Sequence, residues 1–203
     1  MPGWAEVFDA HLRRLLDGLD GPKFLARHGW VEDYARRAER LLSPENLAAL
    51  PPGKIYAALE SLRIPGCRAR AADLGRANTA AEVVAAVRGL LEKPGGFEEK
   101  CRAGKIPRAG VVTLSQMLCL ARPHRFAIRN AAFTRELARR LPLYTARGLD
   151  ELGYEEFLDL CRELSRLVEA RLKPLGLEPW AVRHRFLLLY ALLAGSPSER
   201  TSA

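Results

Sequence analysis

Apolar residues recur along this chain at three- and four-residue intervals, the spacing that lines one face of a helix. Trp4, Val7, Phe8, Leu12, Leu15, Leu16 and Leu19 set the first run, and Gly18 with Gly21-Pro22 marks its end. A second run predicts a helix over about Val31 to Leu42. Ser43-Pro44-Glu45 reads as a helix start, with serine as cap and proline in the first turn, and Leu50-Pro51-Pro52-Gly53 ends it. Short helices follow over Lys54 to Leu62 and Arg68 to Arg76, joined by the turn Ile64-Pro65-Gly66-Cys67. Thr79 and Glu82 form a capping-box pair that opens a helix reaching Leu91, and Lys93-Pro94-Gly95-Gly96 closes it.

In the second half, Phe97 to Ala103 predicts a short helix and Val111 to Ala121 a helix apolar enough to be buried. Phe126-Ala127-Ile128 reads as a short extended piece, and Asn130 as the cap of a helix from Ala131 to Leu141 that Pro142 stops. Asp150 to Leu172 reads as one long amphipathic helix and Trp180 to Ala194 as a buried closing helix. There is no internal repeat and no sustained heptad. The pattern predicts an all-α, compact domain of about ten helices packed around Leu114 to Leu120 and Phe186 to Leu193. We expect an N-terminal helical subdomain over 1–93, a C-terminal one over 94–195 and a polar tail over 196–203.

Composition sharpens this picture. A hydrophobic fraction of 48% in 203 residues supports a real core. The net charge of +8 is local: between Cys101 and Leu149 there are ten basic residues and one acid, Glu136. A folded surface with that surplus is suited to a polyanion, nucleic acid being the commonest. Aromatic residues within the basic stretch are limited to Phe126, Phe133 and Tyr144, too few for a base-stacking platform. The N-terminal stretch carries acids and no apolar signal segment, and the longest apolar run, Phe186 to Ala194, is too short to span a bilayer. Cys67, Cys101, Cys119 and Cys161 contain no CxxC pair and read as reduced thiols. The expectation is a cytoplasmic protein without membrane attachment. His11, His28, His124 and His184 have no metal-ligand spacing, and no nucleophile elbow or phosphate loop is present, so no cofactor, metal or catalytic residue is expected.

Two turns, Ile64-Pro65-Gly66-Cys67-Arg68 and Ile106-Pro107-Arg108-Ala109-Gly110, each keep half of the apolar-Pro-Gly-x-Gly pattern of helix-hairpin-helix DNA-binding turns. Such glycines let backbone N–H groups approach a phosphate. From Ile106 to Asn130 the chain resembles the core of the helix-hairpin-helix DNA glycosylases, with Phe126 and Ile128 ahead of an Arg-rich helix. Two departures change what that implies: the family's catalytic aspartate falls on Asn130 and its Schiff-base lysine on Val112. Neither side chain can perform that chemistry. A divergent repair enzyme would have to use Asp150 or Glu136 instead.

A longer resemblance covers roughly residues 100 to 194. Thr113-Leu114-Ser115-Gln116-Met117-Leu118 and Arg122-Pro123-His124-Arg125-Phe126-Ala127-Ile128-Arg129-Asn130 are similar to a signature of helical accessory domains found beside McrB-type restriction ATPases and in other prokaryotic defence proteins. This chain lacks the Walker loop and the nuclease carboxylates of such systems, so it would be the accessory module.

The function expected from these readings is non-catalytic binding of DNA, duplex first, in a restriction or defence context. Arg108, Arg122, His124, Arg125, Arg129, Asn130, Arg135, Arg139, Arg140 and Arg147 are the expected contacts. A restriction ATPase or nuclease subunit is the expected protein partner. The rivals are the glycosylase-like enzyme and a protein-interaction module whose arginines meet an acidic partner.

Overall fold

The computed structural model describes residues 3–62, 76, 78–103, 106, 109–141 and 144–194. Among these there are thirteen α-helices and no strand, an all-α architecture. The first five helices are α1 (Trp4–Leu16), α2 (Gly21–His28), α3 (Trp30–Leu41), α4 (Pro44–Ala49) and α5 (Ile55–Ser61). They are followed by α6 (Ala80–Glu92), α7 (Phe97–Ala103), α8 (Val111–Ala121) and α9 (Ala131–Arg140). The last four are α10 (Ala146–Glu151), α11 (Tyr154–Leu172), α12 (Glu178–Arg183) and α13 (Arg185–Ala194).

Local chemistry sets most boundaries. Ser43 Oγ accepts from the Asn46 backbone, and Thr79 and Glu82 form their reciprocal capping box. Asn130 Oδ1 accepts from the Phe133 N–H at 2.8 Å and starts α9. Three places differ from the sequence reading. Gly21-Pro22 begins a helix rather than only ending one: Asp20 caps α2 by accepting from the Lys23 N–H at 2.8 Å, and proline occupies the first turn, where no N–H is needed. The helix expected from Asp150 is two, because Leu152 and Gly153 are extended and Glu156 folds back to accept from the Gly153 N–H at 2.7 Å. The closing helix breaks at His184, so α12 and α13 are separate. Phe126 to Ile128, read as a short extended piece, is outside any helix and pairs with no strand among the described residues. It is a buried connector held by single bonds: the Tyr154 hydroxyl donates to the Ala127 carbonyl at 2.7 Å and the Arg129 N–H to Ser115 Oγ at 3.0 Å.

Helices α8 and α13 form the centre. Thr113 through Leu120 are all buried, as are Phe186 through Ala194. Each large side chain sealed there is worth about 1.5–3 kcal/mol relative to exposure. The polar residues of α8 are satisfied: Gln116 Nε2 donates to the Leu62 carbonyl at 2.8 Å, and Ser115 Oγ to that of Val112 at 3.2 Å. The core is continuous across the boundary expected near residue 93, running from Phe8 to Ala194. Helix α1 packs on α11, with Arg171 of α11 ion-paired to Asp9, and α3 packs on α8. No helix among the described residues is long and apolar enough to cross a membrane.

Candidate nucleic-acid interface

A helix leaves its last carbonyls without intrahelical partners, and cations are favourable there. At the end of α6 three cations converge. Lys100, from α7, is 0% exposed and donates from Nζ to the carbonyls of Leu90 (3.1 Å) and Leu91 (3.4 Å) and also to that of Lys93. Arg122, just past α8, donates to the Leu91 carbonyl at 2.6 Å. Arg125 donates to that of Gly95 at 2.9 Å and lies over the Phe126 ring at 5.3 Å. Burial pushes the Lys100 ammonium below the usual lysine range, and Arg122 and Arg125 push it the same way. The ammonium persists because its three protons meet three carbonyls.

Beside these three, Lys93 and Arg102 are exposed on an open cleft with Pro94, Gly95 and Glu99. Among the described residues, Lys93, Arg102 and Arg125 form no ion pair, and His124 stands exposed on the same turn as Arg125. Glu99 spends its carboxylate on the Gly96 N–H at 3.0 Å, which closes the loop that presents Lys93. Gly95 has φ +113, and a β-carbon there would meet Glu99 Oε2 at 2.0 Å, so this tight return needs glycine.

The other arginines of the expected set are differently engaged. Arg129 donates from Nη2 to the carbonyls of Leu149 (3.3 Å), Asp150 (2.7 Å) and Leu152 at the end of α10, and lies over the Phe157 ring at 5.4 Å. That side chain ties the connector to α10 and α11. Arg140 is half-buried between Glu136 and His11, donating to His11 Nε2 at 2.8 Å. Arg139 pairs with Glu136 at 2.9 Å and Arg147 with Glu151 at 2.8 Å, while Arg135 donates to the Ala131 carbonyl at 3.0 Å. Arg139 and Arg147 are 74% and 88% exposed, where such pairs contribute little and exchange readily.

Asn130 needs correcting as a contact residue. It is 4% exposed, its Oδ1 caps α9, and its Nδ2 donates to the Tyr190 hydroxyl at 3.2 Å. It is a core residue. Arg108 lies outside the described residues, as do the turn Ile64 to Arg68 and Pro107 of the second hairpin-like turn. Glu136, one of the two carboxylates that a glycosylase-like reaction would need, is held between Arg139 and Arg140.

The expected set therefore divides. Arg122 and Arg125 reach the end of α6, with His124 on the turn between them, near the start of α11, where Glu155 accepts from the Phe97 N–H at 3.3 Å. Arg140 sits by His11, two residues from the Asp9 that Arg171 grips at the far end of α11. At 1.5 Å per residue, the 19 residues of α11 put about 27 Å between those ends. Two exposed cations of the α6 cluster, Lys93 and Arg102, were not among the expected contacts. Their signal was available: Lys93 closes a helix whose carbonyls attract cations, a relation that charge counting along a window does not reveal.

Burial holds the Cys101 thiol up at about 11, with Glu98 adding to the effect, and Cys119 and Cys161 are buried, so these thiols are not activated nucleophiles. Among the described residues, no group of three or more His, Cys, Asp and Glu side chains is arranged to hold a metal ion. Comparison with protein-family models, with curated proteins and with solved structures gives no match for this chain.

Proposed function

We propose that this protein binds DNA without catalysing a reaction, and that Lys93, Arg102, His124 and Arg125 are its first contacts with the phosphate backbone. The observation that carries the reading is the cation cluster at the end of α6. Its buried members occupy the helix carbonyls, and its exposed members have no carboxylate partner among the described residues. Cations already neutralised by carboxylates lose much of their attraction for phosphate, whereas these do not have that competition. Among the described residues no exposed aromatic side chain borders the cluster, which favours backbone contact over base stacking. The resemblance to accessory domains of restriction systems supports a defence context with an ATPase or nuclease subunit as partner.

The test is fluorescence anisotropy with a labelled duplex at two salt concentrations. Four phosphate contacts give a salt slope that lowers affinity by about a hundredfold between 50 and 200 mM. Salt-insensitive binding, or no binding at low salt, overturns the reading. Retention of an acidic protein subunit by a chain that ignores DNA would favour the interaction-module alternative.

A further inference from the structure

A second site borders the cation cluster at the Pro123-His124 turn and draws on other residues. A cleft of about 260 Å³ runs along α3 from Glu32 to Glu39, opposite the Pro123-His124 turn and the junction of α12 with α13. Seven residues of helix make it about 10 Å long. Its lining includes His184, which is 4% exposed and packs on Trp180 with ring centroids 5.2 Å apart. Neither ring nitrogen of His184 has a hydrogen-bond partner among the described residues. A buried polar group left unsatisfied is costly and marks a place where a bound molecule commonly completes the bonding.

The other polar groups of the cleft are unevenly committed. Glu32 is used: it accepts from Trp180 Nε1 at 3.1 Å and pairs with Arg36 at 2.6 Å. Arg183, which acts on the adjacent His184, is exposed with no ion pair among the described residues, and Glu39, at one end of the α3 stretch, likewise has none among them. Between them lie Ala35 and Ala121, whose small side chains leave room. Glu39 and Ala121 also border an adjoining cleft of about 390 Å³, so the space continues past Glu39.

We infer that this cleft binds a small, elongated organic anion of mononucleotide size, its anionic end held by Arg183 and the unsatisfied imidazole of His184 and a hydrogen-bond-donating end facing Glu39. The donor set at one end suits a phosphate or carboxylate. The lone carboxylate at the other suits an amino or amide N–H, and would repel a ligand anionic at both ends.

The test is isothermal titration of the full chain with adenosine 5′-monophosphate, with inorganic phosphate and adenosine run separately. Saturable one-to-one binding of the nucleotide, tighter than of either half, is expected. Arg183→Glu should weaken it at least roughly tenfold, the effect of one lost charged hydrogen bond made repulsive. Glu39→Ala should weaken the nucleotide several-fold and leave inorganic phosphate unchanged. Both positions are exposed, and circular dichroism checks that each variant folds. Three results would each overturn the inference: no binding at millimolar nucleotide, phosphate binding as tightly as the nucleotide, or a loss with Lys93→Glu/Arg102→Glu equal to that with Arg183→Glu. The last result would place the anion on the other cluster. DNA binding is measured in parallel, so either proposal can fail alone.

Discussion

The end of α6 and the pair α9–α10 both carry a surplus of arginine or lysine, yet the two regions treat it in opposite ways. At α6 the cations divide by depth: Lys100 and Arg122 satisfy carbonyls inside, and Lys93, Arg102 and Arg125 face outward without carboxylates. On α9 and α10, Arg139, Arg140 and Arg147 are matched by Glu136 and Glu151 one helical turn away, and Arg135 turns back onto the Ala131 carbonyl. Glu136 is the only acid in the basic stretch, and it serves two arginines. Charge density along a sequence therefore counts cations but not their partners, and only unpartnered ones make a strong external field.

The largest expected difference between the regions lies in DNA affinity. Lys93→Glu/Arg102→Glu should lower it by about a hundredfold or more at low salt, since each reversal removes one phosphate contact and adds repulsion. Arg139→Glu/Arg147→Glu, with the same charge change, should lower it by no more than a few-fold. Equal losses in anisotropy titrations would erase the distinction and make the whole basic face one site.

Stability probes the buried half of the contrast. Lys100→Met keeps the volume but strands carbonyls at the end of α6, and should cost about 2 kcal/mol in urea unfolding. Arg129→Ala strands the carbonyls ending α10 and should cost about 1.5 kcal/mol, while Arg147→Ala should stay within about 0.5 kcal/mol. A destabilising Arg147→Ala would mean that the α10 ion pair matters more than its exposure implies.

The smallest effect is in pH. Burial lowers the folded-state pKa of His184, helped by Arg183 and Arg36 and opposed by Glu32; burial, then Arg140 and Arg14, lowers that of His11. His11 Nε2 accepts from Arg140, so it must be neutral in the fold. Below the unfolded value of 6.5 the unfolded chain takes these protons first. Stability should thus fall as pH drops from 6.5 toward the depressed values, and level off above that window. His11→Asn should flatten part of this slope in urea titrations at stepped pH. An unchanged slope would show that His11 is not coupled to folding.

Much of the fold was legible because short-range signals and packing agreed. The Thr79–Glu82 box, the Ser43 and Asn130 caps and the uniformly apolar runs of α8 and α13 each act over a few residues. Where two readings of one signal compete, periodicity misled. Gly21-Pro22 looks like a stop but starts α2 once Asp20 caps it, and Leu152-Gly153 interrupts an apolar rhythm that itself never lapses. The candidate site was legible only as a charge surplus. Asn130 illustrates the limit: its capping role was visible in sequence, but nothing local says that Tyr190, sixty residues on, takes the other half of its amide.

Sequence alone determined the class of fold, the central helices and the sign and rough place of the charge, because these depend on periodicity, capping and composition. Tertiary structure decided which cations face water, which hold helix ends and which are paired. It also brought His184, Arg183 and Glu39 to one cleft. Those outcomes rest on contacts between residues far apart in the chain, whose geometry follows from how the helices pack and not from any local pattern.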